Sequence, residues 1–84
     1  MKVVFSEHAW QEYVAWQKSH PKLVQRVNAL IREIQRSPFE GMGKPEPLRH
    51  ALSGYWSRRV TDEHRIVYKV TDDAVLIAQV RYHY

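Results

Sequence analysis

The residues best suited to proton-transfer chemistry are a glutamate in a proline-rich loop and a histidine near the end of the sequence. Glu46 is the only acidic residue between Lys44 and Arg49, and a proline flanks it on either side. A carboxylate and an imidazole can divide the roles of general base and general acid at neutral pH. RNA cleavage without a metal needs both roles, because the 2′-hydroxyl loses a proton and the departing 5′-oxygen gains one. Glu46 and His83 are therefore a candidate acid–base pair.

Both residues also have an ordinary structural interpretation. Glu46 fits a surface loop carboxylate that pairs with a neighbouring cation, and His83 fits an exposed histidine near the chain end. Composition alone does not decide between the catalytic and the structural interpretation of either residue.

The basic residues of the loop and strand half of the sequence are Lys44, Arg49, Arg58, Arg59, Arg65, Lys69 and Arg81. In all, the 84 residues include 13 lysines and arginines against 9 aspartates and glutamates, a formal net charge of +4. This excess favours a polyanionic partner, and nucleic acid before membrane. Aromatic residues interleave with these cations, and unpaired RNA bases stack on such rings. The same cations also suit solubility and the protection of sheet edges from pairing.

The sequence predicts neither a metal site nor a cofactor. It has no cysteine, and its five histidines lack the close spacings of zinc motifs. The first residues hold too short an apolar run for a signal peptide or a membrane span, so we expect a cytoplasmic protein without a membrane partner. A chain of this length fits a single domain over residues 1–84.

The first half of the sequence predicts one strand followed by two helices. Residues 2–5 have the composition of a short strand. Ser6 is a good N-cap for a helix, with Glu7 at the positive end of the helix dipole. Pro21 suits the first position of a second helix, which has an apolar stripe at helical spacing. That helix should end at residues 37–38, where a serine precedes a proline.

The second half of the sequence predicts an ordered loop and then strands. Residues 37–47 hold three of the four prolines and two of the three glycines. Three strand-like runs follow at residues 55–60, 65–70 and 75–84, and the connections are short enough for an antiparallel meander. The predicted fold is therefore α+β, with both helices on one face of the sheet.

The alternation of side chains in the last two runs predicts which residues face the helices. The predicted helix-facing residues are Ile66, Tyr68, Val70, Leu76, Ala78, Val80 and Tyr82. Placing both sets on one face requires an odd-numbered turn, most simply residues 72–74. Arg65 then lies opposite Arg81 and diagonal to His83, on the face away from the helices. An even-numbered turn would place Arg65 and His83 on opposite faces.

Three segments of the sequence resemble one known family. They read GMGKPEPL at residues 41–48, LSGYWSRRVTDEHRIVY at 52–68 and RYHY at 81–84. Together with the length and the order of elements, they resemble the YoeB-like toxins of the RelE superfamily along the whole chain. The resemblance implies a RelE-like fold and a bacterial type II toxin, an endoribonuclease that cleaves messenger RNA in the ribosomal A site. It further implies inhibition by a YefM- or Phd-like antitoxin, and a homodimer.

The resemblance also implies roles for residues at matching positions. Glu46 matches the general base of the family and His83 the general acid. Arg65 matches the residue that stabilises the transferring phosphate, and Tyr84 matches a terminal tyrosine that positions the nucleotide.

Position 49 departs from the family pattern, which has lysine where this chain has Arg49. A planar guanidinium binds phosphate differently from a compact ammonium, and it essentially never gives up a proton. The expected role of Arg49 is therefore RNA contact, together with Lys44, Arg58 and Arg59.

Two other interpretations of the sequence stay open at this stage. A non-catalytic nucleic-acid-binding module needs only the basic strands and the aromatic rings. A relative that shares the fold and poisons a protein such as DNA gyrase is also compatible with the predicted architecture.

Overall fold

The order of elements in the computed structural model, which describes residues 1–82, is the predicted one: a strand, two helices and then further strands. The first three elements are β1 (Lys2–Phe5), α1 (Glu7–Ser19) and α2 (Pro21–Arg36). The later ones are β2 (Glu46–Pro47), a 3₁₀-helix (His50–Leu52), β3 (Trp56–Arg59), β4 (Arg65–Val70) and β5 (Ala74–Gln79). No helix within the described range is long and apolar enough to cross a membrane.

Both helices begin where the sequence predicts. The Ser6 hydroxyl accepts a hydrogen bond from the Ala9 backbone N–H at 3.0 Å, which satisfies one of the free donors at the start of α1. Pro21 is at the first position of α2. The apolar stripe of α2 is buried against the sheet, and its buried members are Val24, Val27, Leu30, Ile31 and Ile34.

The five strands form one mixed sheet in the order β1-β5-β4-β3-β2. β1 runs parallel to β5, and the other pairs are antiparallel. β2 is a short edge strand inside the segment that was predicted as a loop. The Leu48 N–H that follows it donates to the Tyr55 carbonyl at 2.9 Å. A proline is tolerated in β2 because an edge strand has one side without a partner strand.

The predicted register between β4 and β5 is wrong near the turn and correct beyond it. Val70 pairs with Val75, so an even number of residues, 71–74, lies between this pair, and Val75 and Ile77 are buried against the helices in place of Leu76 and Ala78. A β-bulge then shifts the pairing so that Val67 lies opposite Gln79. Beyond the bulge Val80 is buried in the core, as expected.

The last strand also ends earlier than predicted. β5 stops at Gln79, whereas the sequence suggested a strand over residues 75–84. Tyr82 has a φ of +62°, in the left-handed region, so the backbone has left the extended conformation there. It is also about half exposed, which contradicts its predicted place in the core.

Arg58 lies in the protein interior, so the prediction that it contacts RNA is wrong. Its side chain is fully buried, and its guanidinium donates to the Tyr68 hydroxyl at 3.1 Å and to the Met42 and Glu40 carbonyls at 2.9 Å each. A fourth bond goes to the Ser37 carbonyl. Arg58 therefore ties the loop that leads towards Glu46 to the sheet, and every one of these bonds uses a donor that RNA would need.

The Tyr68 hydroxyl completes this buried network. It donates to the Pro38 carbonyl at 2.8 Å while it accepts from Arg58. Burial raises the pKa of Tyr68, and the nearby guanidinium partly offsets that rise. Gly43 closes the loop against the same region: its φ is +86°, and a Cβ there would lie 2.9 Å from the Leu30 side chain.

We expect Arg58→Met to lower the free energy of unfolding by about 3–5 kcal/mol, the usual cost of breaking a buried charged network. The methionine has similar length but leaves the loop carbonyls and the Tyr68 hydroxyl without their donor. Urea unfolding measures the difference. Arg49→Met is the matched control, because Arg49 is exposed and its replacement should change stability by less than about 0.5 kcal/mol. Equal stability of the two variants would contradict the structural role of Arg58.

Candidate active site

The sheet has one face that the helices do not cover, which we call the open face. Ile66 and Tyr68 point into the helix-packed core, so the residues that alternate with them on β4 point the other way. A row of directly paired residues crosses four strands on this face: Glu46, Ser57, Val67 and Gln79. The open face therefore brings the proline-rich loop next to the two strands that carry the candidate arginines.

Glu46 and Arg65 meet on the open face. A guanidinium nitrogen of Arg65, Nη1, lies 3.4 Å from the Glu46 Oε1 atom. The Arg65 side chain is only 13% exposed, whereas 55% of the Glu46 side chain is exposed. The carboxylate is thus open to a ligand, while a cation that is largely enclosed by protein lies beside it.

Backbone pairing before Glu46 and at Glu46 itself explains its position, which could not be predicted from the sequence. The Gly43 carbonyl accepts from the Arg59 N–H at 2.8 Å before β2, and Glu46 itself pairs with Ser57. Lys44, between these two anchors, has a φ of +53°. The loop therefore joins the edge of the sheet at a defined place, and this puts Glu46 at the start of the row of paired residues on the open face.

The remaining RNA-contact candidates lie around this pair. Arg49 is exposed and lines a cleft with Glu46, Pro47, Leu48 and His50. Lys44 is exposed, two residues before Glu46. Arg59 is half-buried and pairs with Arg65 across β3 and β4, so both arginines point to the open face. Three of the four predicted RNA-contact residues therefore have solvent-accessible side chains near Glu46.

The end of the described chain is bonded to the residue that precedes Arg65. The Tyr82 N–H donates to the His64 Nδ1 atom at 2.8 Å, and the Arg65 N–H donates to the Tyr82 carbonyl at 3.1 Å. No functional role was predicted for His64, which is one of the five histidines without zinc-motif spacing. Its position directly before a candidate catalytic arginine was the one available signal.

Two of the predicted catalytic residues, His83 and Tyr84, lie outside the residues that the structure describes. The prediction that Arg65 and His83 share a face involves one of these two residues and stays a prediction. In residues 1–82, no three histidine, aspartate or glutamate side chains lie together in a way that could hold a metal ion.

Comparison with known proteins decides the family. Residues 5–84 match a family described as the YoeB-like toxin of bacterial type II toxin–antitoxin systems. The chain belongs to this family. Among its relatives, Toxin YoeB of Escherichia coli strain K12 is 57% identical over 84 residues, which cover all of both chains. The resemblance that three sequence segments suggested is thus confirmed, and the protein is a toxin of a type II toxin–antitoxin system.

Solved structures of YoeB toxins share this fold closely. A YoeB/ParE toxin from Agrobacterium tumefaciens has a TM-score of 0.97 and 45% identity, with all of both chains covered. The YoeB dimer of Staphylococcus aureus has a TM-score of 0.94, and the YoeB–YefM complex from the same organism 0.93. Each of these two is 42% identical and covers 100% of this chain and 98% of the other. The predicted α+β fold with the helices on one face of the sheet is confirmed.

Proposed function

We propose that this YoeB-like toxin is a ribosome-dependent endoribonuclease that cleaves messenger RNA in the ribosomal A site and so inhibits translation in the cytoplasm. The observation that carries the proposal is the pair on the open face: an exposed Glu46 carboxylate with the Arg65 guanidinium 3.4 Å away. A base and a phosphate-binding cation side by side are two of the three groups that 2′-hydroxyl cleavage needs.

In the proposed reaction, the Glu46 carboxylate takes the proton from the 2′-hydroxyl of the RNA. The freed 2′-oxygen attacks the adjacent phosphorus, the bond from phosphorus to the 5′-oxygen breaks, and a 2′,3′-cyclic phosphate is left. His83 gives a proton to the departing 5′-oxygen, so the proton count balances. Arg65 neutralises the charge that builds up on the phosphate oxygens, and Tyr84 positions the nucleotide. None of these steps requires a metal ion.

RNA binding is proposed to use the cations around the acid–base site. Lys44 and Arg49 are exposed on the loop beside Glu46, and Arg59 shares the open face with Arg65. Contacts of this kind hold the phosphate backbone and carry no sequence information of their own. The Glu46 carboxylate is exposed and only a few cations surround it, so we propose that a larger assembly positions the RNA for cleavage. In this proposal that assembly is the ribosome.

The proposed protein partners are a second copy of the chain and an antitoxin of the YefM kind. The support is that the Staphylococcus aureus YoeB, 42% identical and alike in fold, has been solved both as a dimer and with YefM. A plain nucleic-acid-binding module explains the site less well, because an exposed carboxylate on the phosphate path weakens backbone binding.

We expect cleavage of messenger RNA to require translating ribosomes. The purified toxin is incubated with the same messenger RNA with and without programmed ribosomes, and the 5′ ends of the products are mapped. Cuts inside the codon in the A site, and little cleavage of free RNA, are the expected result. A parallel reaction with the Glu46→Gln protein shows whether any of the cleavage comes from a contaminating nuclease. Comparable rates in both tubes would rule out ribosome dependence, and intact RNA in both would rule out the nuclease activity.

A further inference from the structure

One buried histidine, His64, is used by no step of the proposed reaction and yet contacts Tyr82, the last residue that the structure describes. It is only 8% exposed, and its ring packs edge-on against the Trp16 ring, with 4.9 Å between the ring centroids. The Tyr82 ring is also close to the His64 ring, with 5.4 Å between the ring centroids. Its backbone is fixed in the turn by the Thr61 hydroxyl, which accepts from the His64 N–H at 3.1 Å. Both the backbone and the ring of His64 are therefore held in place.

The hydrogen bonds of His64 define which ring nitrogen carries the proton. A backbone N–H can only donate, so the Tyr82 N–H at 2.8 Å requires an unprotonated Nδ1 atom. In the neutral ring the hydrogen is then on Nε2, which lies 2.9 Å from a carboxylate oxygen of Glu63. The Glu63 side chain is 71% exposed, so this second hydrogen bond connects the buried His64 ring to a surface carboxylate and helps to orient the ring.

Tyr82 is in a conformation that needs such support. Its φ of +62° is unfavourable for a residue with a Cβ, and it comes after β5 has ended. Its N–H is bonded to His64, and its carbonyl accepts from the Arg65 N–H at 3.1 Å and from the Gln79 side-chain amide at 3.2 Å. The peptide groups on both sides of the Tyr82 Cα are thereby held. Three groups bind them, and two of these three belong to the consecutive residues 64 and 65.

We infer that His64 is a positioning residue of the cleavage site. It fixes the backbone of Tyr82, which directly precedes His83 in the sequence, relative to Arg65, whose guanidinium pairs with Glu46. The acceptor atom Nδ1 carries this role, and the packing of the ring against Trp16 orients that atom. The inference rests on the proposed function, since it assigns His64 to the geometry of that reaction.

Two substitutions separate the acceptor from the ring. His64→Asn places the Oδ1 acceptor where Nδ1 was and removes the ring, whereas His64→Phe keeps a ring against Trp16 and removes the acceptor. We expect His64→Phe to slow single-turnover cleavage at saturating programmed ribosomes by about 10- to 100-fold, because small misplacements of a reacting group cost this much. Its affinity for ribosomes should stay unchanged. His64→Asn should recover most of the lost rate despite its lower stability.

A role in packing alone predicts the opposite order, with His64→Asn the slower variant. That order, or parental cleavage by His64→Phe, overturns the inference. If His64→Phe does not fold, His64→Gln replaces it, because its amide reaches the Nε2 position and misses the Nδ1 position. An inactive parent protein overturns the proposed function and this role with it, whereas an active parent with an equally active acceptor-free variant overturns the role alone.

A spectroscopic readout tests the same bond without cleavage. The ¹⁵N shifts of the His64 ring should show an unprotonated Nδ1 and a protonated Nε2, and the Tyr82 amide should exchange slowly with solvent. In His64→Phe the Tyr82 amide should exchange at least about tenfold faster, while in His64→Asn it should remain protected. A protonated Nδ1, or an unprotected Tyr82 amide in the parent, overturns the inference.

Discussion

Glu46→Gln should leave the toxin folded and slow the cleavage of ribosome-bound RNA by roughly 10²–10⁴-fold, the usual contribution of a proton-transfer group. Glutamine keeps the shape of the side chain but cannot accept the proton of the 2′-hydroxyl. The fold should survive because 55% of the Glu46 side chain is exposed, and the glutamine amide can still accept a hydrogen bond from Arg65. Single-turnover cleavage on saturating programmed ribosomes isolates the chemical step from binding.

Glu40→Gln is the matched control for this prediction. Glu40 is exposed in the same loop, and the same carboxylate is changed to the same amide six residues away. The control should cleave at the parental rate, since the Glu40 group that the fold uses is its backbone carbonyl. If a folded Glu46→Gln protein also cleaves at the parental rate, Glu46 is not the base. The structural interpretation, in which Glu46 is a surface carboxylate that pairs with a neighbouring cation, is then right.

The acid partner is tested in the same assay with His83→Gln, which should also slow cleavage by roughly 10²–10⁴-fold. His8→Gln is its control, because the His8 side chain is 70% exposed and lies on the first helix. The double variant with Glu46→Gln should lose less than the product of the two single losses if both groups act in one step. Full activity of His83→Gln would require another acid.

The elements with local signals were predictable, and those set by distant pairing were not. Ser6 and Pro21 mark helix starts through interactions within a few residues, and both helices begin there. The family was also predictable, because the distinctive segments at 41–48 and 81–84 do not depend on any structural inference. Glu46 reaches Arg65 only because β2 pairs with β3, and a two-residue edge strand has no periodic signal of its own.

The register error has a specific cause in the residues of β5. Residues 75–78 are all apolar, so alternation cannot show which two of them face the helices. The bulge opposite Val67 and Tyr68 changes the phase halfway along, and nothing in the composition marks it. Arg58 was misassigned for a related reason: an arginine is rarely buried, and the carbonyls that accept its hydrogen bonds are 16 to 21 residues away in sequence. Buried charge of this kind becomes visible only when the loop is folded.

Arg65→Ala should lower the rate of cleavage on bound ribosomes by an amount on the order of 10²–10³-fold, which is the typical cost of removing one donor that stabilises the transition state. Arg65 is suited to this role because its guanidinium is only 13% exposed and lies 3.4 Å from the proposed base. An enclosed cation is screened less by water and salt than a surface cation, so its interaction with a charged phosphate is stronger. Arg65→Lys tests the geometry, because lysine keeps the charge but loses the planar fork of donors.

Arg49→Ala provides the comparison that separates chemistry from binding. Arg49 is also an arginine beside Glu46, but it is exposed and lines the cleft. Its loss should weaken ribosome binding and reduce the salt dependence of that binding by up to about one counterion, with little change in the single-turnover rate at saturation. Arg65→Ala should show the reverse pattern, a large loss of rate with a smaller loss of affinity. If Arg65→Ala lowers affinity alone and saturating ribosomes restore its rate, Arg65 docks the RNA as Arg49 does, and another cation must stabilise the transferring phosphate.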